Sequence, residues 1–229
     1  MDFLARSLPL LGEEGLATLK KSRVLVLGLG GVGAACAEAL VRGGVGSLVF
    51  SDGDAYSPTN KNRQLYATDE TLGTNKALVA ARRAKEINPE ITVEARAVFY
   101  RAGEDFDLKN FDFICDCIDD VDAKLELICR AHEQKTPIIS AMGAGGKLDP
   151  TRFRVADIAK THTCPLAKKM RVELRRRGIT HTRVVFSDEV SRAVTSPPSS
   201  VSFVPPVMGF VMAAEVVRTL CETTETEEE

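Results

Sequence analysis

The sequence predicts an α/β domain: a doubly wound, mostly parallel sheet with helices on both faces. Three observations carry that prediction. Short apolar strand segments alternate with helical stretches from Val24 to Ala141, and strands apolar on both faces belong to parallel sheets covered on both sides. The first strand, Val24 to Leu27, runs directly into a glycine-rich turn with Gly28, Gly30, Gly31 and Gly33, and then into an apolar helix. The second strand leads to Asp52, where a carboxylate at the carboxyl end of a sheet faces a ligand crevice.

Taken in order, residues 6–20 read as one or two short amphipathic helices ahead of the core. Val24–Leu27 is strand one and Gly33–Arg42 the helix after it. Gly43, Gly44 and Gly46 turn the chain back into strand two, Ser47–Phe50. The helix Asn75–Ile87 has Asn75 as its N-cap and Asn88-Pro89 as its stop. Strands follow at Ile91–Ala97, Phe111–Cys117 and Pro137–Ala141, with a helix at Lys124–Glu133. A second glycine-rich loop spans Met142–Asp149, and Arg152–Ala156 reads as a strand on the far side of the sheet. Pro165–Arg177 is a strongly basic helix, Arg183–Phe186 a short strand, and Thr195–Ser202 a Ser/Pro-rich linker. Val207–Leu220 closes the chain as an apolar helix starting after Pro206. The expected organisation is one domain over 1–221, with a nucleotide-binding half at about 22–145 and a crossover and C-terminal part at 146–221. The acidic stretch 222–229 reads as a disordered tail.

At 229 residues, 44% apolar and 27% charged, the composition is that of a soluble globular protein. The formal charge of −2 includes five tail acids, so the body is near +3. That balance permits a local basic face without demanding nucleic acid. No basic n-region precedes a long apolar run at the N-terminus, so no signal peptide is expected. Pro205, Pro206, Glu215 and Arg218 interrupt the most apolar stretch, which fits a buried or interface helix better than a membrane span. The six cysteines form no C-x-x-C pair and no Cys/His cluster at zinc spacing, so no structural zinc is expected and the thiols read as reduced, cytoplasmic ones.

The chemistry lies between Arg23 and Asp122. The glycine turn alone fits any Rossmann-like nucleotide site. Gly28 and Gly30 let the backbone approach phosphates, and Gly33 lets the helix pack close to the sheet. Asp52 is placed to accept from ribose hydroxyls, and Asp54 either shares that task or faces a metal. A plain dinucleotide site needs no basic cluster soon after this carboxylate. Here Asn60, Arg63, Gln64 and Lys76 follow within 24 residues of Asp52 and read as a clamp for the triphosphate of ATP. Arg63 can bond phosphate oxygens in parallel, and Lys76 supplies a point charge at a helix start. Asp119 ends a strand where a carboxylate suits Mg²⁺ bridging phosphates, while Asp120 and Asp122 are better placed as helix caps.

G-L-G-G-V-G, D-x-D, N-K-N-R-Q, Lys76 and D-C-I-D together resemble the ThiF/MoeB/HesA superfamily, relatives of ubiquitin-activating enzymes that adenylate a carboxylate with ATP·Mg. Arg6 resembles the N-terminal arginine that reaches the partner subunit's nucleotide site in that superfamily, which implies a homodimer. The stretch from Gly143 to Ile179, with D-P-T and P-L-A-K, resembles the tRNA threonylcarbamoyladenosine dehydratase branch. The resemblance covers roughly 3–215 and implies ATP-driven cyclisation of threonylcarbamoyladenosine beside the anticodon. It makes Lys168, Lys169, Arg171, Arg175 and Arg176 candidate tRNA contacts, against the ordinary reading of a solvated helix face. His162 and His181 are candidates for nucleotide or RNA contact or plain loop residues.

The alternative is an activating enzyme for a small ubiquitin-like sulfur-carrier protein, adenylated at its C-terminal glycine. Cys164 would then be a candidate thioester cysteine rather than a bystander near the site. A dinucleotide-dependent oxidoreductase or a non-catalytic nucleotide-binding module leaves Arg63, Lys76 and Asp119 without roles. A sulfur-transfer partner and a monovalent cation at the second glycine loop stay open on sequence alone.

Overall fold

The computed structural model describes residues 3–101, 107–193, 195–196 and 198–222. Its centre is a seven-stranded sheet ordered β3-β2-β1-β4-β5-β7-β6. The strands are β1 Arg23–Leu27, β2 Ser47–Ser51, β3 Thr92–Arg96, β4 Phe113–Asp116, β5 Ile138–Ala141, β6 Phe153–Asp157 and β7 Arg183–Ser187. All neighbours are parallel except β6, which pairs antiparallel with β7, Phe153 opposite Ser187. β6 is therefore an edge strand beside β7, the form taken by the strand expected on the far side of the sheet.

The alternation of side chains along β1 divides the interior into two cores. Val24 and Val26 join Phe50, Cys115 and Val185 beneath α2 (Gly31–Gly43), α3 (Lys76–Ile87) and α6 (Val204–Glu222). Leu25 and Leu27 join Ile114 and Phe186 beneath α4 (Val121–Gln134) and α5 (Pro165–Arg176). Each of these strand residues is at most 1% exposed. Burial on both faces explains the continuous apolar runs, since a parallel sheet covered by helices has no polar side.

Local signals set the helix starts. The Asn75 side chain accepts from the N–H groups of Ala77 and Leu78 and caps α3. Asp120 accepts from Ala123 N–H at 2.8 Å and caps α4. α1, Leu8–Lys21, is two helical pieces joined at Gly12, whose φ is +69°. α6 differs from the expectation: it starts at Val204, not after Pro206. First-turn residues have no intrahelical partner for their N–H groups, so two prolines there cost the helix nothing. Glu222, expected in the tail, closes α6, and the rest of that stretch lies outside the described residues.

α6 is long and apolar enough to cross a membrane by length and composition, but half of its apolar window is buried within the fold. It crosses α2 where a Cβ on Gly209 would lie 2.2 Å from Val32 O. Any side chain there drives the two helices apart. A Gly209→Ala variant is expected to lose about 1–3 kcal/mol through overpacking, read as a lowered thermal midpoint.

Candidate functional site

The carboxyl ends of β1, β2 and β4 open onto a cleft of about 690 Å³. Gly28, Gly30 and Gly31 line it together with Asp52, Asp54, Arg63, Gln64, Lys76, Asp119 and Pro205. The glycine turn is held by contact. Gly28 has φ +83°, and a Cβ on Gly33 would lie 1.8 Å from Gly28 O, so α2 starts flush against the turn. Its N-terminus then presents unpaired N–H groups and a positive dipole end to an anion.

Asp52 is 7% exposed. Its Oδ2 accepts from Leu29 N–H at 2.6 Å and its Oδ1 from Asp54 N–H at 2.8 Å. Burial pushes this carboxyl up from the ordinary aspartate value, opposed by those two N–H groups and by the Lys76 charge. Each oxygen keeps a second lone pair for a further donor. Lys76 is also buried, and its Nζ donates to Asp54 Oδ2 at 2.9 Å. Asp54, for which the sequence left ribose and metal open, pairs with Lys76 here and fixes the direction of its side chain. Asn75, beyond its capping role, donates to the carbonyls of Asp52 and Asp54. One side chain thus ties the end of β2 to the start of α3.

Arg63 enters the cleft with Nη1 bonded to Thr59 O and to Asn62 Oδ1, both at 2.9 Å, leaving its other N–H groups for an anion. Asn60 is not among the residues lining the cleft. Its Oδ1 accepts from Ser57 N–H at 3.0 Å and closes a short 3-10 turn. The structure therefore places Asn60 as the shaper of the loop that carries Arg63. Asp119 is exposed in the cleft and makes no hydrogen bond or ion pair with the described residues. A lone free carboxylate facing a phosphate cradle fits Mg²⁺, which takes one or two protein carboxylates and completes its shell with phosphate oxygens and water.

The remaining sequence candidates sit elsewhere. Arg6 is exposed in the turns before α1. Beside it, the Leu4 side chain packs on Gly44, in the turn that precedes β2 at the opposite end of the sheet. Arg6 is thus remote from the cleft of its own chain. Cys164 is 3% exposed and packs in the core with Met142, Ile158 and Ala167, its Sγ against Gly143. It is not among the cleft-lining residues. A Cys164→Ser variant is expected to keep turnover within a few-fold of wild type.

On α5, Lys168, Lys169 and Arg175 are exposed and unpaired with the described residues. Arg171 differs, because its Nη1 donates to Thr161 O at 2.8 Å and to Thr161 Oγ1 at 2.7 Å. Arg176 and Arg177 both bond Glu173. His162 stacks edge-on against Phe186 and His181 bonds Asp157, and neither lines the cleft.

A buried group escaped sequence reasoning. Lys124, Asp116 and Ser140 are each 0% exposed. Lys124 Nζ donates to Asp116 Oδ2 at 2.8 Å and approaches Ser140 Oγ at 3.2 Å, while the Ser140 hydroxyl donates to Asp116 Oδ2 at 2.6 Å. Asp116 Oδ1 accepts from Ile118 N–H at 3.1 Å and so braces the turn that carries Asp119. The eight-residue separation of Asp116 and Lys124 was visible, but nothing in it distinguishes a buried pair from two surface charges.

A sequence model of the ThiF family matches residues 4–229. The chain is 42% identical to the tRNA threonylcarbamoyladenosine dehydratase of Bacillus subtilis (strain 168), over 94% of this chain and 93% of that one. Against the molybdopterin-synthase adenylyltransferase of Escherichia coli (strain K12), identity is 32% over 66% of this chain and 61% of that one. The crystal structure of the Escherichia coli tRNA N6-threonylcarbamoyladenosine dehydratase, TcdA, in complex with ATP superposes with a TM-score of 0.90 at 31% identity, covering 99% of this chain and 96% of that one.

Proposed function

The chain belongs to the ThiF family, and on that basis we infer that it is an ATP-dependent tRNA threonylcarbamoyladenosine dehydratase. The observation that carries this reading is one cleft in which Arg63, Lys76 and the unpaired Asp119 converge on a glycine-built phosphate cradle, in a chain similar over nearly its whole length to a dehydratase of that name. The sulfur-carrier alternative is weaker on both counts: the adenylyltransferase relative aligns over less of the chain, and Cys164 is buried away from the cleft.

The chemistry proceeds in two steps. The threonyl carboxylate attacks the α-phosphorus of ATP, the bond to the bridging oxygen breaks, and pyrophosphate leaves an acyl-adenylate. A carboxylate approaching a polyanion meets like charge, which Arg63 and Lys76 offset at the site of charge development. Mg²⁺ held by Asp119 supplies further neutralisation of the phosphate oxygens when bound. In the second step the carbamoyl group of the same substituent attacks the activated carbonyl carbon. The ring bond forms, the bond from that carbon to the adenylate oxygen breaks, and AMP leaves. The net change is loss of water. Because the nucleophile is tethered, proximity lowers this barrier and no protein nucleophile is needed.

The enzyme works as a homodimer in the cytoplasm. Leu8 and Leu10 in α1, with Phe203 and Phe210 at α6, expose apolar surface on adjoining elements, the feature expected of a subunit interface. Arg6, remote from its own cleft, serves the partner's site. Co-expressed Arg6→Ala and Asp119→Ala chains are therefore expected to form mixed dimers in which one site regains activity that neither variant shows alone. Lys168, Lys169 and Arg175 contact tRNA phosphates. Reversing these three to glutamate is expected to reduce the slope of log affinity against log salt by about 2–3, and an unchanged slope would remove α5 from the interface.

The deciding experiment is mass spectrometry of nucleosides from threonylcarbamoyl-modified tRNA incubated with the protein and ATP·Mg²⁺. The expected result is loss of one water from the modified nucleoside with one AMP released. An unchanged nucleoside, with ATP binding intact, would overturn the dehydratase reading.

A further inference from the structure

Three buried side-chain polar atoms among the described residues lack a hydrogen-bond partner, and two of their residues line the same cleft. Gln64 Oε1 is one. The residue is 7% exposed, and neither end of its amide bonds any described residue. The other is Ser200 Oγ. Buried polar groups are almost always satisfied, and leaving one unmade costs about 1–3 kcal/mol. Two such groups in one cleft are best explained by a ligand that completes them.

Their placement says which part of the ligand. Gln64 directly follows the phosphate-binding Arg63, and its amide nitrogen lies 3.7 Å from the position a Cβ on Gly30 would take. Ser200 belongs to the crossover between β7 and α6, and this segment is latched from two sides. Asn62 Nδ2 donates to Ser200 O at 3.0 Å, and Gly146 N–H donates to Ser199 O at 2.8 Å. The crossover therefore lines the cleft on segments tied to the loop that carries Arg63 and to the second glycine loop, whereas Asp52 is held at the end of β2 by Leu29 and Asp54.

The geometry points to Gln64 and Ser200 as the subsite for the acyl half of the adenylate, a carbamoylated amino acid. Gln64 Oε1 accepts an N–H of the carbamoyl group, and the Ser200 hydroxyl donates to an oxygen of the same substituent. Gln64 is thereby moved from the phosphate clamp to the substrate side. The pair holds the carbamoyl group against the carbonyl carbon it attacks. The proton lost from the carbamoyl nitrogen on ring closure passes to water, and AMP takes the electrons of the broken bond. This assignment rests on the dehydratase reading.

The test uses full-length Gln64→Met and Ser200→Ala, with Ser200→Thr as the conservative variant. The Gln64 amide makes no bond with the described residues, so Gln64→Met is expected to leave the thermal midpoint unchanged or raised, which a structural role would not do. Affinity for ATP stays within about twofold, while kcat/KM for modified tRNA falls about 10–100-fold, as for one to two lost hydrogen bonds. An adenylate whose carbamoyl group is poorly held is left to hydrolysis, so AMP released per cyclised nucleoside rises from one to several. Ser200→Thr restores the ratio. Two results would overturn the assignment: a ratio of one with unchanged kinetics for tRNA, or a loss confined to ATP affinity. A wild-type protein that removes no water would instead sink the dehydratase reading itself.

Discussion

An Asp119→Ala variant is expected to lose adenylation by about three orders of magnitude or more, with its fold intact. The fold expectation follows from the absence of any bond between Asp119 and the described residues; removing an exposed, unpaired carboxylate leaves no buried group stranded. The activity expectation follows from where the charge lies. Pyrophosphate departure would concentrate negative charge in a cleft lined by the cations Arg63, Lys76 and Arg101, and Lys76 is already shared with Asp54. Removing one preorganised electrostatic contact of this kind commonly costs about 10²–10³ in rate, and an Mg²⁺ that Asp119 would hold is lost with it. ATP–pyrophosphate exchange stimulated by modified tRNA reads the first step alone. Exchange within a few-fold of wild type would show that the metal is held elsewhere.

The largest stability effect is expected at a residue with no place in the chemistry. Lys124→Met leaves Asp116 buried and without its cation, since both side chains are 0% exposed. Breaking a buried pair from one side costs about 3–5 kcal/mol, which at about 2–4 °C per kcal/mol for a domain of this size is a fall in thermal midpoint of roughly 6–20 °C. The double variant Lys124→Met with Asp116→Asn removes the stranded charge while keeping an acceptor for Ile118 N–H. It is expected to recover most of the loss. Equal midpoints for the single and double variants would mean that the cost lies in packing and not in charge. Activity should fall further than stability in Lys124→Met, because Asp116 braces the turn that presents Asp119.

Much of this molecule is legible locally. Asn75 and Asp120 are recognisable as caps because a cap bonds N–H groups two or three residues away. The apolar runs of β1 and β4 announce a sheet covered on both faces. Arg63, Lys76 and Asp119 were visible because they stand in the N-x-x-R-Q run, at a helix start and at the end of a strand, and the structure brings all three to one cleft. Other residues could be named but not understood. Asn60 carries the chemistry of a phosphate ligand yet spends its oxygen on Ser57. Arg171 belongs to the basic run yet is committed to Thr161. Cys164 sits in a polar segment yet faces the core.

The sequence by itself determined the order of strands and helices, the nucleotide turn and the identity of the charged groups around it, because these depend on period, propensity and separations of a few residues. Only the tertiary structure decided which charges are paired and which stay free. Asp116 meets Lys124 and Ser140 across two strands and a helix, Asn62 latches Ser200 from 138 residues away, and Gln64 is left buried without a partner among the described residues. A hydrogen bond or ion pair depends on distances of a few ångströms between side chains brought together by folding, and such distances leave no periodic trace along the chain.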